Sequence, residues 1–518
     1  MDFSALSSST DKGSNKRDGG ASRQRLAAPP AAPARRPLST GAWLLRVIPV
    51  AGALLLLVVT PLFRGLYFPG EQMWALTAAI ILAGWALGAF WNSERWQPAS
   101  LWRGESVRRH WPDYAAAAFL LFYVLATLVA VDRRAAIQED VKVLVCLLVY
   151  LLLRLGGRQD GLGAGRMTAW LLGAFSLAGA VVSIVSLGVV AGNWHYNGAW
   201  AGGRIFSTFQ YPNTTAAYLT GAVFAALALW TTALAPSPPS SRGRRWRAPL
   251  LRLGAALAAY LSLFVFVFTY SRGAWLIFPV AALVGLFLLP SERRLAAVAE
   301  LLVIVAAFAV GGLGLVGVGF AAAAGQGGPG GFAVWLSALY GVPILLLGGW
   351  AVAHFLAPGR RGPSLRSQGV LAALLLPTPS FLPAQLRSRL ASISLSDWSA
   401  WTRIDWAHDA FVIGLRRPLL GAGGGAWDAL YHQQQSYPFW SNQVHNHFAQ
   451  VWVETGALGL SAFLAVWVGL VDRTLRARKA LLRLGDREAV SLLAGAATAA
   501  IALGGHSLID FNLSLTAV

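Results

Sequence analysis

Apolar residues in this chain recur in blocks of about 20, the length a helix needs to cross a bilayer, with short polar segments between them. The pattern predicts spans near 42–63, 73–91, 114–131, 140–155, 168–191, 214–234, 253–270, 274–290, 296–321, 332–356, 368–383, 446–471 and 489–508. The 368–383 segment is short and broken by Pro377 and Pro379. The block Trp43–Phe63 is too long for a signal-peptide core and lacks a clear small-residue cleavage site, so it reads as a retained first span. The expected fold is an all-α polytopic membrane protein of about 12–13 transmembrane helices, with one large external loop.

Composition agrees with that pattern. The chain is 56% hydrophobic and 12% charged, with a mean hydropathy of +0.55. Soluble globular chains carry roughly 25% charged residues, so that class is excluded. Residues 1–40 are the exception: rich in Ser, Gly, Ala, Pro and Arg, they read as a disordered, basic cytoplasmic tail. The remainder divides into a transmembrane bundle (41–383), a large external loop (384–445) and C-terminal transmembrane helices (446–518).

Charge fixes the orientation. The chain has 42 Lys and Arg against 22 Asp and Glu, a formal +20. With the N-terminus inside, the segments 1–46, 92–112, 154–167, 235–252, 291–294, 357–367 and 472–488 hold 31 of those 42. That is the positive-inside distribution. It explains the basic tract around Arg244 as a topology anchor at the bilayer rather than a nucleic-acid patch, and no nucleic-acid partner is expected. The lone cysteine, Cys146, excludes an intrachain disulfide and a cysteine-based metal cluster.

Two outside loops are long, Gly192–Asn213 and Ala384–Gln443, and long ordered loops are usually functional. The second is rich in aromatics, suiting a membrane-lying helix, a sugar platform, or both. Within it Ser396–Gly414 fits a helix, capped by Ser396 or Ser399, with Trp398, Trp401, Ile404 and Phe411 near helical spacing. The glycine run Gly421–Gly425 then ends it; no strand precedes it, so it is not read as a phosphate cradle.

Burying charge at a membrane boundary is costly, so basic residues there draw attention. Arg204 precedes a span, Arg272 sits in a minimal turn between two apolar helices, and Arg403 lies on the loop helix. His445 and Asn446 open the next span, with Glu454 deeper. Each has a plain structural reading. Arg272 can snorkel and cap span carbonyls. Arg204 can anchor at the interface, His445 can bond a loop carbonyl, and Glu454 can pair with a neighbouring helix. Their co-occurrence on one face, from distant segments, favours a shared site. Guanidinium groups give charge-assisted, often bidentate hydrogen bonds to phosphate and pyrophosphate. A histidine beside them can take a proton from an attacking hydroxyl. The arginines would stabilise a departing diphosphate, a role often given to a metal ion. No Asp-x-Asp, His-Glu-x-x-His or external carboxylate cluster suggests a divalent metal, and no other cofactor is expected.

These residues resemble the O-antigen ligase superfamily, which includes O-antigen ligases, polysaccharide polymerases and bacterial protein O-oligosaccharyltransferases. His445-Asn446, nine residues, Gly456, two residues and Gly459 look like the ligase pattern. "FTYSRGAW" around Ser271 and Arg272 is similar to the family's Ser-Arg-Gly turn, and "GRIFSTFQYPN", from Arg204 to Asn213, to its Arg…Pro-Asn segment. "TRIDWAHDAFVIGLRRPLLGAGGGAW" resembles the stretch before the histidine, and "HSLIDFNLSL" the family's His…Asp-Phe tail. The resemblance covers roughly residues 190–518. It implies an inverting, metal-independent glycosyltransferase of the bacterial inner membrane, active on the external, periplasmic face. The donor would be an undecaprenyl-pyrophosphate-linked glycan and the acceptor a hydroxyl on a lipid, glycan or protein. His445 would be the general base or acceptor-positioning residue, Arg204, Arg272 and Arg403 would hold the pyrophosphate, and Ser271, Asn213, Asn446 and Glu454 would support them. The His-Asn-x9-Gly pattern favours a ligase over a polymerase. The long basic tail and the Gly-rich 325–331 turn depart from the family. Many relatives continue past the position of Val518, which suggests a shortened member. A transporter is the reading from another class; it would need paired broken helices and ionisable residues near the midplane.

Overall fold

The computed structural model describes residues 40–91, 104–156, 163–233, 244–323, 331–356, 369, 384–393, 398–435 and 437–518. Of the proposed tail 1–40, span 368–383 and turn 325–331, all but residues 40, 369 and 331 lie outside the described residues. Among the described residues the fold is helical apart from one two-stranded hairpin, as the apolar blocks predict. Its first nine helices are α1 (Thr40–Val59), α2 (Pro69–Trp91), α3 (Gly104–Leu128), α4 (Arg133–Gly156), α5 (Gly163–Val190), α6 (Pro212–Ala233), α7 (Arg244–Phe268), α8 (Arg272–Leu288) and α9 (Ser291–Ala323). They are followed by α10 (Gly331–Tyr340), α11 (Val342–Phe355), α12 (Ala384–Ala391), α13 (Trp398–Leu415), α14 (Ala426–Leu430), α15 (His447–Arg483) and α16 (Arg487–His506). Among the described residues ten helical segments are long and apolar enough to cross a membrane, and α8 is a shorter apolar helix. α4 is not one of the ten; Arg133, Arg134, Glu139, Asp140, Lys142 and Arg154 interrupt its apolar surface. The predicted span 332–356 is split into α10 and α11 at Gly341, where Pro343 cannot donate and the Tyr260 hydroxyl takes the Ala338 carbonyl.

The centre of the bundle is α6, enclosed by α5, α7 and α16. Its Ala, Gly and Thr side chains are small on every side, so neighbouring backbones approach closely, the way helices associate within lipid. Thr220 returns its hydroxyl to the carbonyl one turn back, whereas the Thr231 hydroxyl is shared between such a carbonyl and the buried Glu300 carboxylate of α9.

α15 is broken within its first three turns. Gly456 adopts φ 62, ψ −159, a conformation open essentially to glycine alone. The break frees carbonyls and amides that the segment 418–423 then uses. Ala422 and Gly423 amides donate to Val453 and Glu454 carbonyls at 2.9 Å each, and Ala457 N donates to Pro418 O at 2.8 Å. A Cβ on Gly456 would lie 2.5 Å from the Leu419 carbonyl carbon. The glycine run 421–425 is thus a plug in a broken helix. The loop helix α13 has already ended at Leu415, ahead of that run.

Candidate functional site

Alternation of the helices carries the turns after α1, α3, α5 and α7, the described residues of 384–446 and the segment 507–518 to one end of the bundle, where they bond one another. Val131 N donates to Ala422 O, Ala517 N to Gly65 O, and His447 N to both Ser507 O and Asp510 O. The site is assembled at this end.

Arg204 is placed by the hairpin of Trp200–Ala201 and Arg204–Ile205. Its two turn residues, Gly202 and Gly203, both have positive φ, as a tight two-residue hairpin turn requires. Arg204 Nε donates to Thr269 O at 2.9 Å. Arg272 begins α8, and Ser271 caps that helix by accepting from Ala274 N. The Arg272 guanidinium reaches Ser399 Oγ at 2.9 Å and Ser392 O at 3.3 Å, tying the α7–α8 turn to the loop helices. Arg389 of α12 donates to Tyr270 O at 3.4 Å. An open hollow of about 550 Å³ is lined by Gly202, Gly203, Arg204, Tyr270, Ser388, Arg389 and Ser392. Burial, and then the neighbouring Arg389 charge, push Arg204 below the usual guanidinium range.

The histidine has its own network. His445 stands at φ 58, one residue before the N-cap Asn446, whose side chain accepts from Phe448 N and Ala449 N. Its Nδ1 lies 3.4 Å from Tyr211 Oη and 3.6 Å from Asp510 Oδ1. Asp510 Oδ2 accepts from Asn213 Nδ2 at 2.8 Å and Tyr211 Oη at 3.2 Å, and pairs with Arg403 at 3.5 Å. Trp406 and Phe511 pack on the imidazole at 4.9 Å each. Asp510 is itself fixed by buried bonds around it: His506 Nδ1 with Asn512 Oδ1 and His447 Nδ1 with Ser514 Oγ. Burial would raise the Asp510 carboxyl, but the nearby His445, His506 and Arg403 outweigh it and hold it below its ordinary value of 3.8. An ionised carboxylate facing Nδ1 favours the proton there and leaves Nε2 as the basic nitrogen.

Of the residues singled out from sequence, Arg204, Arg272, Arg403, His445, Ser271, Asn213 and Asn446 all lie at this end, Ser271 and Asn446 as helix caps. Glu454 does not join them. It is buried at the break in α15, where it accepts from Tyr123 Oη at 2.7 Å, Gln450 Nε2 at 2.7 Å and Gly425 N at 2.9 Å. Glu454 thus ties the plug to α15, and through Gln450, whose Oε1 accepts from Val444 N at 3.0 Å, it also reaches the residue before His445. Sequence reasoning missed four residues that the fold brings in: Tyr211, Arg389, Trp406 and Asp510. Tyr211 and Asp510 stand inside the motifs "YPN" and "IDF", which could have marked them. Arg389 had no distinguishing signal.

On α13 the site-facing side carries Arg403 and Trp406, whereas Trp398, Trp401, Ile404, Phe411 and Leu415 are exposed. Among the described residues no group of three or more His, Cys, Asp or Glu side chains could hold a metal ion.

Fold and site together define a multi-pass membrane protein with a cationic, histidine-bearing cluster at one end. Residues 257–464 match the family model described as O-Antigen ligase, a match that supports a relation of this stretch to the O-antigen ligase superfamily. The matched stretch includes Arg272, Arg389, Arg403 and His445, while Arg204 and Asp510 lie on either side of it. No curated protein matches the chain.

Proposed function

We propose that the protein transfers a preassembled glycan from an undecaprenyl-pyrophosphate carrier to a hydroxyl acceptor, at the external face of the bacterial inner membrane. The observation that carries this reading is the crowding of positive charge in the site. Arg204, Arg272 and Arg403 converge from three segments, near enough that Arg204 feels the charge of Arg272 and Arg272 that of Arg403. Guanidinium groups gathered in this way suit a diphosphate.

In the proposed reaction the acceptor hydroxyl attacks the anomeric carbon from the side opposite the diphosphate. A new carbon–oxygen bond forms as the bond to the diphosphate oxygen breaks, so the configuration inverts. His445 Nε2 takes the hydroxyl proton, and Asp510 and Tyr211 hold the imidazole through its Nδ1 side. The arginines take up the charge that develops on the leaving diphosphate. No metal is needed in this scheme. A polymerase would use the same groups with a second lipid-linked glycan as acceptor; the ligase reading follows from the His445-Asn446-x9-Gly456 pattern.

The test is glycan transfer by the purified protein with a synthetic polyprenyl-diphosphate sugar, in chelator and without ATP. Turnover that is lost in His445→Ala and Arg272→Ala, both remaining monodisperse, supports the reading. Turnover that survives both changes overturns it, and product formed only on a lipid-linked glycan acceptor marks a polymerase instead.

A further inference from the structure

We propose that Arg389 is a further donor-binding residue, paired with Arg204 across the hollow beside the α7–α8 turn, where the two take a phosphoryl group of the diphosphate. This rests on the function proposed above.

Both side chains are pinned to successive carbonyls of one turn, Arg204 Nε to Thr269 O and Arg389 to Tyr270 O. One bond each leaves most of each guanidinium uncommitted. The terminal nitrogens of Arg204 take no protein hydrogen bond among the described residues, and Arg389 Nε is buried without a partner. A guanidinium donor out of water and unbonded costs free energy, and an anion in the hollow would recover it. Neither arginine has an acidic partner among the described residues, although each lies within reach of the other's charge. Two like charges held together face a hollow of about 550 Å³ whose floor includes Gly202 and Gly203, so backbone can approach a ligand closely. Arg272, on the same turn, is near enough to feel both Arg389 and Arg403. The cations therefore run from the hollow toward the histidine. A phosphoryl group bound at Arg204 and Arg389 would leave the second phosphoryl on the Arg272 side, toward His445. The neighbouring Arg387 is exposed and lines no part of the hollow, which makes it a matched control.

A residue that only anchored α12 would affect folding or general turnover. A donor-binding residue affects donor KM and the inhibition by free diphosphate. The experiment compares Arg389→Ala, Arg389→Lys and Arg387→Ala in the full-length protein, with inorganic pyrophosphate as competitive probe and His445→Ala as reference. The expected result is a donor KM raised at least tenfold in Arg389→Ala, with acceptor KM unchanged. Pyrophosphate inhibition should weaken in parallel, Arg389→Lys should restore part of both, and Arg387→Ala should leave both unchanged. Unchanged donor KM and pyrophosphate inhibition in Arg389→Ala, with His445→Ala inactive, would overturn this inference alone. Turnover intact in His445→Ala would instead remove the proposed function on which it rests.

Discussion

Two polar clusters sit along the first turns of α15, and they are built on opposite principles. Around Glu454 the polar groups are closed on one another: both carboxylate oxygens accept, from a phenol, an amide side chain and a backbone amide, and the segment 418–423 takes up the amides and carbonyls that Gly456 releases. Around His445 the groups stay open. One ionised carboxylate faces Arg403 and the imidazole, Arg204 and Arg389 have no acidic partner among the described residues, one guanidinium nitrogen is buried unbonded, and a hollow adjoins them. A buried polar cluster that satisfies itself holds a fold together, and one that does not is waiting for a ligand. Residue type does not separate the two, since both combine a carboxylate, a tyrosine and a glutamine or asparagine.

The contrast can be broken at either cluster. The largest effect is expected from Gly456→Val. A side chain there would be strained in φ and would strike Leu419, so folded protein should be lost outright, read as the disappearance of the monodisperse peak in detergent. Next comes Asp510→Asn, which keeps the shape but removes the charge facing His445 Nδ1. Turnover should fall on the order of 100-fold, the lower range for general-base contributions, with the melting temperature little changed. Glu454→Gln should show the reverse, because a second amide donor would face groups that already donate. A loss of about 1–3 kcal/mol in stability is expected, with turnover per folded molecule close to wild type. Should Glu454→Gln abolish turnover while leaving stability intact, the division between a structural and a functional cluster would fail. The smallest effect belongs to Ser399→Ala, which removes one of the hydrogen bonds of Arg272 and should raise donor KM only a few-fold.

Acid sharpens the comparison further. The Asp510 carboxyl is depressed in the folded protein, so its contribution is complete above its ordinary value of 3.8 and is lost as pH falls through the lower folded value. The Asp510 bonds with Arg403, Asn213 and Tyr211 should therefore hold through neutral and mildly acid solution. An activity loss centred well above pH 4 would have to come from another group, and Asp510→Asn should leave that limb in place.

Most of the architecture was legible because lipid imposes a simple code: the apolar blocks follow from the chain alone, although α3, α7 and α15 run about nine to twelve residues past the ends the pattern predicts. The same alternation puts Arg204, Arg272, Arg403 and His445 on one side without knowledge of any contact. Partnerships across the chain were not legible. Tyr123 and Glu454 are 331 positions apart, and nothing local marks either as the other's neighbour. Arg387 and Arg389 look alike in the run Ala384–Ala391; one faces out and the other lines the hollow, which only the docking of α12 on the α7–α8 turn decides. The interruption of α15 reads in sequence as a lone glycine, and its meaning depends on a segment more than thirty residues earlier.

The carboxylate that steadies the imidazole is supplied by the segment after α16. With the site external, as proposed, Arg204 and Arg272 would cross the bilayer first during synthesis, the helix bearing Arg403 would follow, and the histidine would arrive later still. A nascent chain that already displays its cations therefore lacks the hydrogen-bonded base until α16 has been threaded through. If glycan transfer is the reaction, a partly inserted molecule would meet carrier lipid without being able to discharge it, so ribosomal order itself guards against premature turnover.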